Sequence, residues 1–442
     1  MTDQEASVLE ANYEKQPKLK FYSLDNAGVL YTAIASSRMS TVYRMTVGLC
    51  EAVDPVILQK ALEQIIHRFP YFQVTLKRGV FWYYYEHTEA IPEVEEETFY
   101  PCKTMRQRQR KTFPFRVLYY RSYIHIEFNH SICDGSGGLK FLQTLLIEYF
   151  KEKKGIIPEN LGKSMDILSD VDPREYEDSF KVYYKEGVPP PPESKKVFHF
   201  PFKLLDKGEY LLLTGIVPVD PLLALARKYG CTLTQFMLAL YFESIQEYIQ
   251  NSEMSEKKKH RQKIAINVPV DLRRMFPSIT LRNFFISLNP EIDLALGFYT
   301  REEIIEQIKG YMGLYMNEKN INRYISRNVR NEQFIILRII PLWVKKLIMP
   351  VIYKRYGERG YTSGLSNLGN VTFPDEITPY IKSLEVFPPP SVESRLKLVM
   401  VSYNKNLSLS FGKTTGETVI EKIFFRKIRQ LGIHVKIETN KR

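Results

Sequence analysis

Phe128-Asn129-His130-Ser131-Ile132-Cys133-Asp134-Gly135-Ser136-Gly137-Gly138 sets a histidine four positions ahead of an aspartate-glycine pair. Upstream, Phe115 to Phe128 mixes β-branched and aromatic residues as a strand does, and downstream Leu139 to Phe150 repeats apolar residues at helical spacing. A strand, a glycine-rich turn and a helix in succession make an α/β unit, with His130 at the break. An imidazole with an ordinary pKa of about 6.5 is largely neutral at physiological pH, so His130 is a candidate general base. Asp134 would fix the turn. The glycines from Gly135 onward would let a substrate approach the backbone beside His130. A structural turn with an exposed histidine would read the same way.

The pattern His-x-x-x-Asp-Gly after a strand resembles the signature of the chloramphenicol acetyltransferase-like superfamily, which includes alcohol acetyltransferases and nonribosomal peptide condensation domains. The resemblance implies that His130 deprotonates an acceptor for attack on a thioester, while Asp134 and Gly135 shape the turn. Condensation domains usually double the histidine, and Asn129 stands in the first place here. That favours general acyl transfer over peptide synthesis. A second element is Ile264-Ala-Ile-Asn267-Val-Pro-Val-Asp271-Leu-Arg273-Arg274, running on to Arg282-Asn283-Phe284-Phe285. The resemblance implies an arginine paired with the motif aspartate: Arg273, with Arg282 and Arg38 in reserve. Such a pair would be charge-assisted and bidentate, leaving Asp134 unavailable as an acid or base. These arginines read equally as surface residues. The third element, Thr362-Ser363-Gly364-Leu365-Ser366-Asn367-Leu368-Gly369, reads as a turn before a strand at Val371 to Phe373. Ser366 or Asn367 is the candidate donor to a developing oxyanion, though the same residues make ordinary turns. The resemblance spans about residues 20 to 430, carried by these three motifs in order.

The rest of the chain organises around that reading. The 442 residues, 44% of them hydrophobic, suffice for one or two substantial cores, and two lobes of about 200 residues are the natural division. Val53-Asp54-Pro55 precedes a helical repeat of Leu58, Leu62, Ile65, Ile66 and Phe69, and Val219-Asp220-Pro221 opens a second amphipathic stretch that Gly230 would end. Strand-like segments precede both, Tyr43 to Leu49 and Tyr210 to Val217. The expected fold is α/β with two similar lobes, each a mixed β-sheet covered by helices, and an active-site channel between them. The divisions are residues 1–175, a Pro-rich crossover at 176–205 around Pro189-Pro190-Pro191-Pro192, and 206–442. Thr232 to Gln250 reads as a buried helix, Glu253 to Arg261 as a charged loop, and Tyr403-Asn404-Lys405-Asn406 as a hairpin turn.

Charge and punctuation bound the partners. With 62 basic and 50 acidic residues, the net charge of +12 suits phosphate-bearing or acidic partners such as acyl-coenzyme A, an acidic acyl carrier protein or anionic lipid. A solvated basic surface explains it equally. Cys50, Cys102, Cys133 and Cys231 are widely spaced, which argues against a zinc site or a disulfide framework. The remaining histidines, His67, His87, His125, His199, His260 and His434, show no metal-ligand spacing. No phosphate-loop, dinucleotide or Gly-x-Ser-x-Gly motif occurs. The expectation is therefore a cytoplasmic monomer with no metal and no bound cofactor, acting on a small-molecule acceptor and not on nucleic acid. Phe334 to Arg355 mixes apolar and basic residues with Trp343, in the manner of an interfacial helix that touches a membrane or an acyl chain, or of a lobe helix with a basic face.

The functional expectation is transfer of an acyl group from acyl-coenzyme A or an acyl carrier protein to an alcohol or amine, without a covalent acyl-enzyme. The alternatives are a non-catalytic condensation-like binding module and a thioester hydrolase.

Overall fold

The computed structural model describes residues 21–36, 39–105, 112–193, 195–333, 340–345, 347–348 and 358–440. Arg38 and most of the stretch from Phe334 to Arg355 lie outside the described residues.

The N-terminal part runs Phe21–Ser23 (β1), Asn26–Ile34 (α1), Val42–Leu49 (β2), Pro55–Ile66 (α2), Val74–Arg78 (β3), Tyr83–His87 (β4), Val94–Glu96 (β5), Phe115–Tyr120 (β6), Tyr123–Asn129 (β7) and Gly135–Lys154 (α3). Asp54 caps α2 by accepting from the Val56 and Ile57 amides, and Pro55 occupies its first turn, where a missing N–H costs nothing. Leu58, Leu62, Ile65 and Ile66 are buried against the sheet together with α3. Phe72 stacks on Phe141 of α3 with ring centroids 5.3 Å apart, and Phe115 and Phe128 close the same aromatic cluster.

The C-terminal part continues through Leu211–Pro218 (β8), Val219–Lys228 (α4), Leu233–Gln250 (α5), Lys263–Asp271 (β9), Phe285–Leu288 (β10), Glu291–Asp293 (β11), Arg301–Tyr315 (α6), Glu318–Gln333 (α7), Ser363–Asn370 (β12), Ile381–Phe387 (β13), Leu396–Tyr403 (β14), Asn406–Lys413 (β15), Val419–Gln430 (α8) and Lys436–Thr439 (β16). Helix α5 starts in a reciprocal cap between Thr232 and Gln235 and buries Phe236, Met237, Leu240, Tyr241, Ile245 and Ile249.

Two principal sheets result, and both are mixed. The first has the order β13-β2-β7-β6-β5, with β5 and β6 parallel. The second has the order β10-β9-β12-β14-β15-β8-β16, with β11 also on β9, and β12 lies parallel to both β9 and β14. The architecture is thus the two-lobed α/β arrangement expected, with a small third sheet, β1-β4-β3, beside the first lobe. Strand β13 comes from the C-terminal part of the chain but pairs with β2, so the first sheet is completed by the second half of the sequence.

Several local expectations are corrected. The single strand from Phe115 to Phe128 is a hairpin, β6 and β7, turned at Arg121 in a left-handed conformation with φ 52°. Helix α3 begins at Gly135 rather than Leu139, because Asp134 is its cap. Asp220 does not cap α4: it lies in the first turn, one residue inside the helix. The segment expected as a turn at Thr362 to Gly369 is largely strand β12, while Val371 to Phe373 is not a strand. Pairing to β9 and β14 overrides the turn propensity of Ser, Asn and Gly. The charged loop holds a helical turn, Glu256–Lys259, whose Lys259 is buried and donates to Gln250 O at 2.7 Å.

The crossover is held just before its start and at its proline run. Glu175 forms a two-pronged buried ion pair with Arg68 at 2.6 and 2.7 Å. Arg323 and Arg330 of α7 donate to Pro190 O and Val188 O, which pins the proline run to that helix.

Candidate active site

Strand β7 delivers His130 to the seam between the lobes. Its backbone amide donates to Thr41 O at 2.8 Å, and the next residues turn into α3. Asn129, in the position of the missing first histidine, is buried; its Oδ1 accepts from Thr41 Oγ1 and from the Ser131 amide. It braces the turn through these two bonds.

Asp134 carries three loads at once. One carboxylate oxygen caps α3 through the Ser136 and Gly137 amides, each at 3.1 Å. Arg273 meets the carboxylate in a fork, Nη1 to Oδ2 at 2.9 Å and Nη2 to Oδ1 at 3.2 Å. The Phe284 amide donates to Oδ2 at 2.9 Å. Arg273 also donates to Asp271, Thr280 O and Arg282 O. Burial works against the Arg273 charge, and the Asp134 and Asp271 carboxylates outweigh it, holding the guanidinium firmly ionised. A carboxylate accepting this many bonds ties the turn to the opposite lobe.

Arg282, the reserve partner, serves a different carboxylate. It lies against Asp25 at 3.5 Å and donates to Ser23 O at 2.8 Å. Asp25, fully buried at the start of α1, accepts from the Gly28 amide at 2.7 Å and from Asn283 Nδ2 at 3.2 and 3.3 Å. Burial pushes its pKa up to about 6, against the pull of Arg282.

Asn283 links this buried charge to the histidine. Its amide nitrogen faces acceptors, the Asp25 carboxylate and His130 O at 3.0 Å, so its oxygen must be the atom 3.1 Å from His130 Nδ1. That oxygen can only accept, which places the imidazole proton on Nδ1 and a lone pair on Nε2. Among the described residues, Nε2 has no hydrogen-bond partner. Tyr31 stacks on the ring at 4.5 Å, while Tyr43 and Phe285 tilt against it at 5.1 and 5.5 Å. This aromatic box fixes the ring plane. Burial lowers the His130 pKa below its ordinary value, opposed by the Asp134 charge.

The glycines do a different job from the one expected. A Cβ on Gly137 would stand 2.1 Å from Leu281 O, and one on Gly138 would meet the Tyr43 hydroxyl at 2.6 Å. They admit protein, not substrate: the opposite lobe's backbone and the tyrosine that donates to Asp134 O at 2.8 Å. Gly135 is looser, with the Leu368 side chain 3.3 Å from where its Cβ would lie.

Strand alternation separates Ser366 from Asn367. Leu365 faces the helix-covered core of the second lobe, whereas Leu368 packs toward the first lobe and Gly135. Ser366 shares the face of Leu368. Asn367 points the other way, donating to Thr234 Oγ1 at 2.8 Å and accepting from the Gly369 amide at 2.8 Å. Cys133 is fully buried 3.2 Å from the Tyr43 hydroxyl, and burial pushes its thiol pKa well up.

Sequence reasoning gave no role to Asn283, Asp25 or Tyr31. Asn283 stood inside a segment already singled out, and its place between Arg282 and two phenylalanines was the available signal. Asp25 and Tyr31 carried none.

No family model matches the chain, and no curated protein matches it in sequence. Solved structures do match in fold. A variant of the starter condensation domain of rhizomide synthetase RzmA, in complex with C8-CoA, aligns with TM-score 0.55 and 13% identity over 97% of this chain and 96% of that one. TRI3 trichothecene 15-O-acetyltransferase from Fusarium sporotrichioides aligns with TM-score 0.57 and 10% identity, over 93% and 94% of the two chains. Polyketide synthase associated protein 5 from Mycobacterium tuberculosis aligns with TM-score 0.55 and 11% identity, over 92% and 96%. The likeness spans both lobes and is one of fold.

Proposed function

We propose that this chain, which has the fold of condensation domains and O-acetyltransferases, is an acyltransferase that moves an acyl group from a thioester to an alcohol or amine. The observation that carries the reading is the His130 imidazole held with its proton on Nδ1 by Asn283, its Nε2 lone pair at the seam between the lobes without a hydrogen-bond partner among the described residues. Nε2 would take the acceptor's O–H or N–H proton as the acceptor attacks the thioester carbonyl carbon. The carbon–sulfur bond of the tetrahedral intermediate then breaks, and the departing thiolate takes that proton back from Nε2. Ser366, on the face of β12 turned toward the first lobe, is the candidate donor to the oxyanion, a role worth about 3 kcal/mol where measured. Asn367 would have to release Thr234 to serve there.

Asp134 and Arg273 hold the lobes in register and take no part in proton transfer. The direct route needs no covalent acyl-enzyme: Cys133 is sealed in the core as a thiol, and Ser131 Oγ is bonded to Tyr85. Acyl-coenzyme A is the favoured donor, supported by the C8-CoA complex of the RzmA domain and by the net charge of +12.

The test is thiol release by the purified protein and its His130→Ala variant, from acetyl- and octanoyl-coenzyme A with a panel of alcohols and amines. The expected loss in the variant is about a hundredfold or more. Equal release by both proteins would remove His130 from the reaction. Release without any acceptor would identify a hydrolase, and silence with both coenzyme A and carrier-bound donors would identify a binding module.

A further inference from the structure

The second sheet turns one face toward the first lobe, and strand alternation says which side chains stand on it. On β14, Leu396, Leu398 and Met400 pack in the second lobe's core, whereas Val399 and Val401 pack in the first lobe's. Lys397 therefore shares the face of Val399. On β12 beside it, Gly364 shares the face of Ser366 and Leu368, and the stem of Lys397 crosses it: a Cβ on Gly364 would stand 3.7 Å from Lys397 Cγ. Leu368 marks the catalytic end of this face, against Gly135. Gly364 lies four residues back, about 13 Å along the strand.

Lys397 is paired there with Glu358, Nζ to Oε1 at 2.9 Å. Glu358 is 2% exposed and fully engaged: Ser391 Oγ donates to it at 2.8 Å and the Tyr361 hydroxyl at 3.2 Å. Burial works against its charge, and Lys397 and the two hydroxyls outweigh it, so the carboxyl stays ionised. The ammonium is less fully engaged. Its side chain is 18% exposed, and among the described residues Glu358 is the one acceptor it reaches, which leaves two N–H bonds to fill. The pair and the catalytic ring share one interior. Burial lowers the His130 pKa and the Lys397 charge adds to that lowering. Burial raises the pKa of the Tyr31 hydroxyl, whose ring stacks on His130, and the Asp25 and Glu358 charges add to that rise.

The surroundings select the chemistry of what fills those bonds. A carboxylate brought to Lys397 would stand beside the Glu358 carboxylate and be repelled, while a plain alkyl chain would cover the two donors without satisfying them. A neutral oxygen meets both constraints. Resting on the acyltransfer reading for the identity of the bound molecules, we propose that Lys397, oriented by Glu358, is a specificity-determining residue that binds an uncharged hydroxyl or carbonyl oxygen of a substrate, remote from the bond that reacts. Two substrates carry such an oxygen: an acceptor with a distal hydroxyl, and an acyl donor with the amide carbonyls of its pantetheine arm.

Equilibrium binding tests this without turnover, so a protein that releases no thiol still answers it. In the His130→Ala background, titration calorimetry compares the α,ω-diols of octane and decane with octanol and decanol, and follows octanoyl-coenzyme A in parallel. The diols should bind about tenfold more tightly than the plain alcohols, the scale of one hydrogen bond to a charged group, and Lys397→Met should erase that margin. That variant strands the Glu358 charge. The double variant Glu358→Gln with Lys397→Met removes both charges at similar volume and repeats the measurement in a balanced interior. A tenfold loss confined to octanoyl-coenzyme A would place the oxygen on the pantetheine arm rather than on the acceptor. With a carboxylate at its far end, ω-hydroxydecanoate should gain nothing over decanol. The proposal is overturned if the double variant binds diols and octanoyl-coenzyme A as its His130→Ala parent does, or if ω-hydroxydecanoate binds that parent more tightly than decanediol.

Discussion

At the scale of single residues, the site works by restricting what each group can do. Asn283 cannot take a proton from Nδ1, so it fixes the tautomer, and Asp25 behind it fixes the amide. Asn283→Ala should therefore reduce kcat more than KM, by about tenfold to a hundredfold, with folding retained; kinetics on the purified variant check this. A purely structural role would move both or neither. The pH profile follows from the same geometry. In the proposed reaction neutral His130 is the competent form, and burial holds its pKa below the ordinary 6.5, so kcat/KM should fall only as pH drops below about 6.5. Asp25, pushed up to about 6 by burial, is a second group that changes charge on the acid side. Removing the Asn283 oxygen removes one influence that raises the His130 pKa, and the limb should move to still lower pH.

Between elements, the Asp134–Arg273 clasp and the glycines of α3 are the parts that must fit. Breaking a mostly buried pair from one side strands a charge, so Arg273→Met should destabilise the fold by about 3 kcal/mol. The double variant Asp134→Asn with Arg273→Met should cost less than the two single changes added together, read by denaturant unfolding. Gly137→Ala puts a methyl where Leu281 O already stands and should destabilise by about 1–3 kcal/mol, or force the lobes apart. Much of this level was legible in sequence. Asp54 before Pro55, the apolar spacing of the helix read from Thr232, and the hairpin at Asn404-Lys405 are local devices, and each lies where its pattern put it. Strand β12 was not legible. Its Ser-Asn-Leu-Gly composition favours turns, and only pairing with β9 and β14 makes it extended.

Across the whole molecule, the lobes are stitched by strand β13, which pairs with β2 and carries the buried Glu385 against Thr214 of β8 at 2.8 Å. Burial raises the Glu385 pKa to about 7, above its unfolded value, so the folded state prefers the protonated carboxyl. Its contribution to stability is full below about 4.5, the ordinary value, and is lost as pH rises toward 7. Glu385→Gln should remove that loss: the Tm difference between variant and parent should grow in the variant's favour from pH 5 to pH 8. A constant difference would place the charge of Glu385 elsewhere in the balance.

The amino-acid sequence by itself determined the α/β class, the helix that Asp54 and Pro55 open, the buried helix from Thr232, and the motif that brings His130 to the end of a strand, because caps, periodicity and turns act within a few residues. The Arg273 partner of Asp134 came from resemblance, and its distances came from the structure. What only the tertiary structure decided spans long separations: Asn283 on His130 across 153 residues, Asp25 on Asn283 across 258, and a C-terminal strand in the N-terminal sheet. It also turned Ser366 toward the first lobe and Asn367 away from it. Such contacts leave no periodic trace in a sequence, since they depend on which surfaces two folded lobes present to each other once their cores are buried.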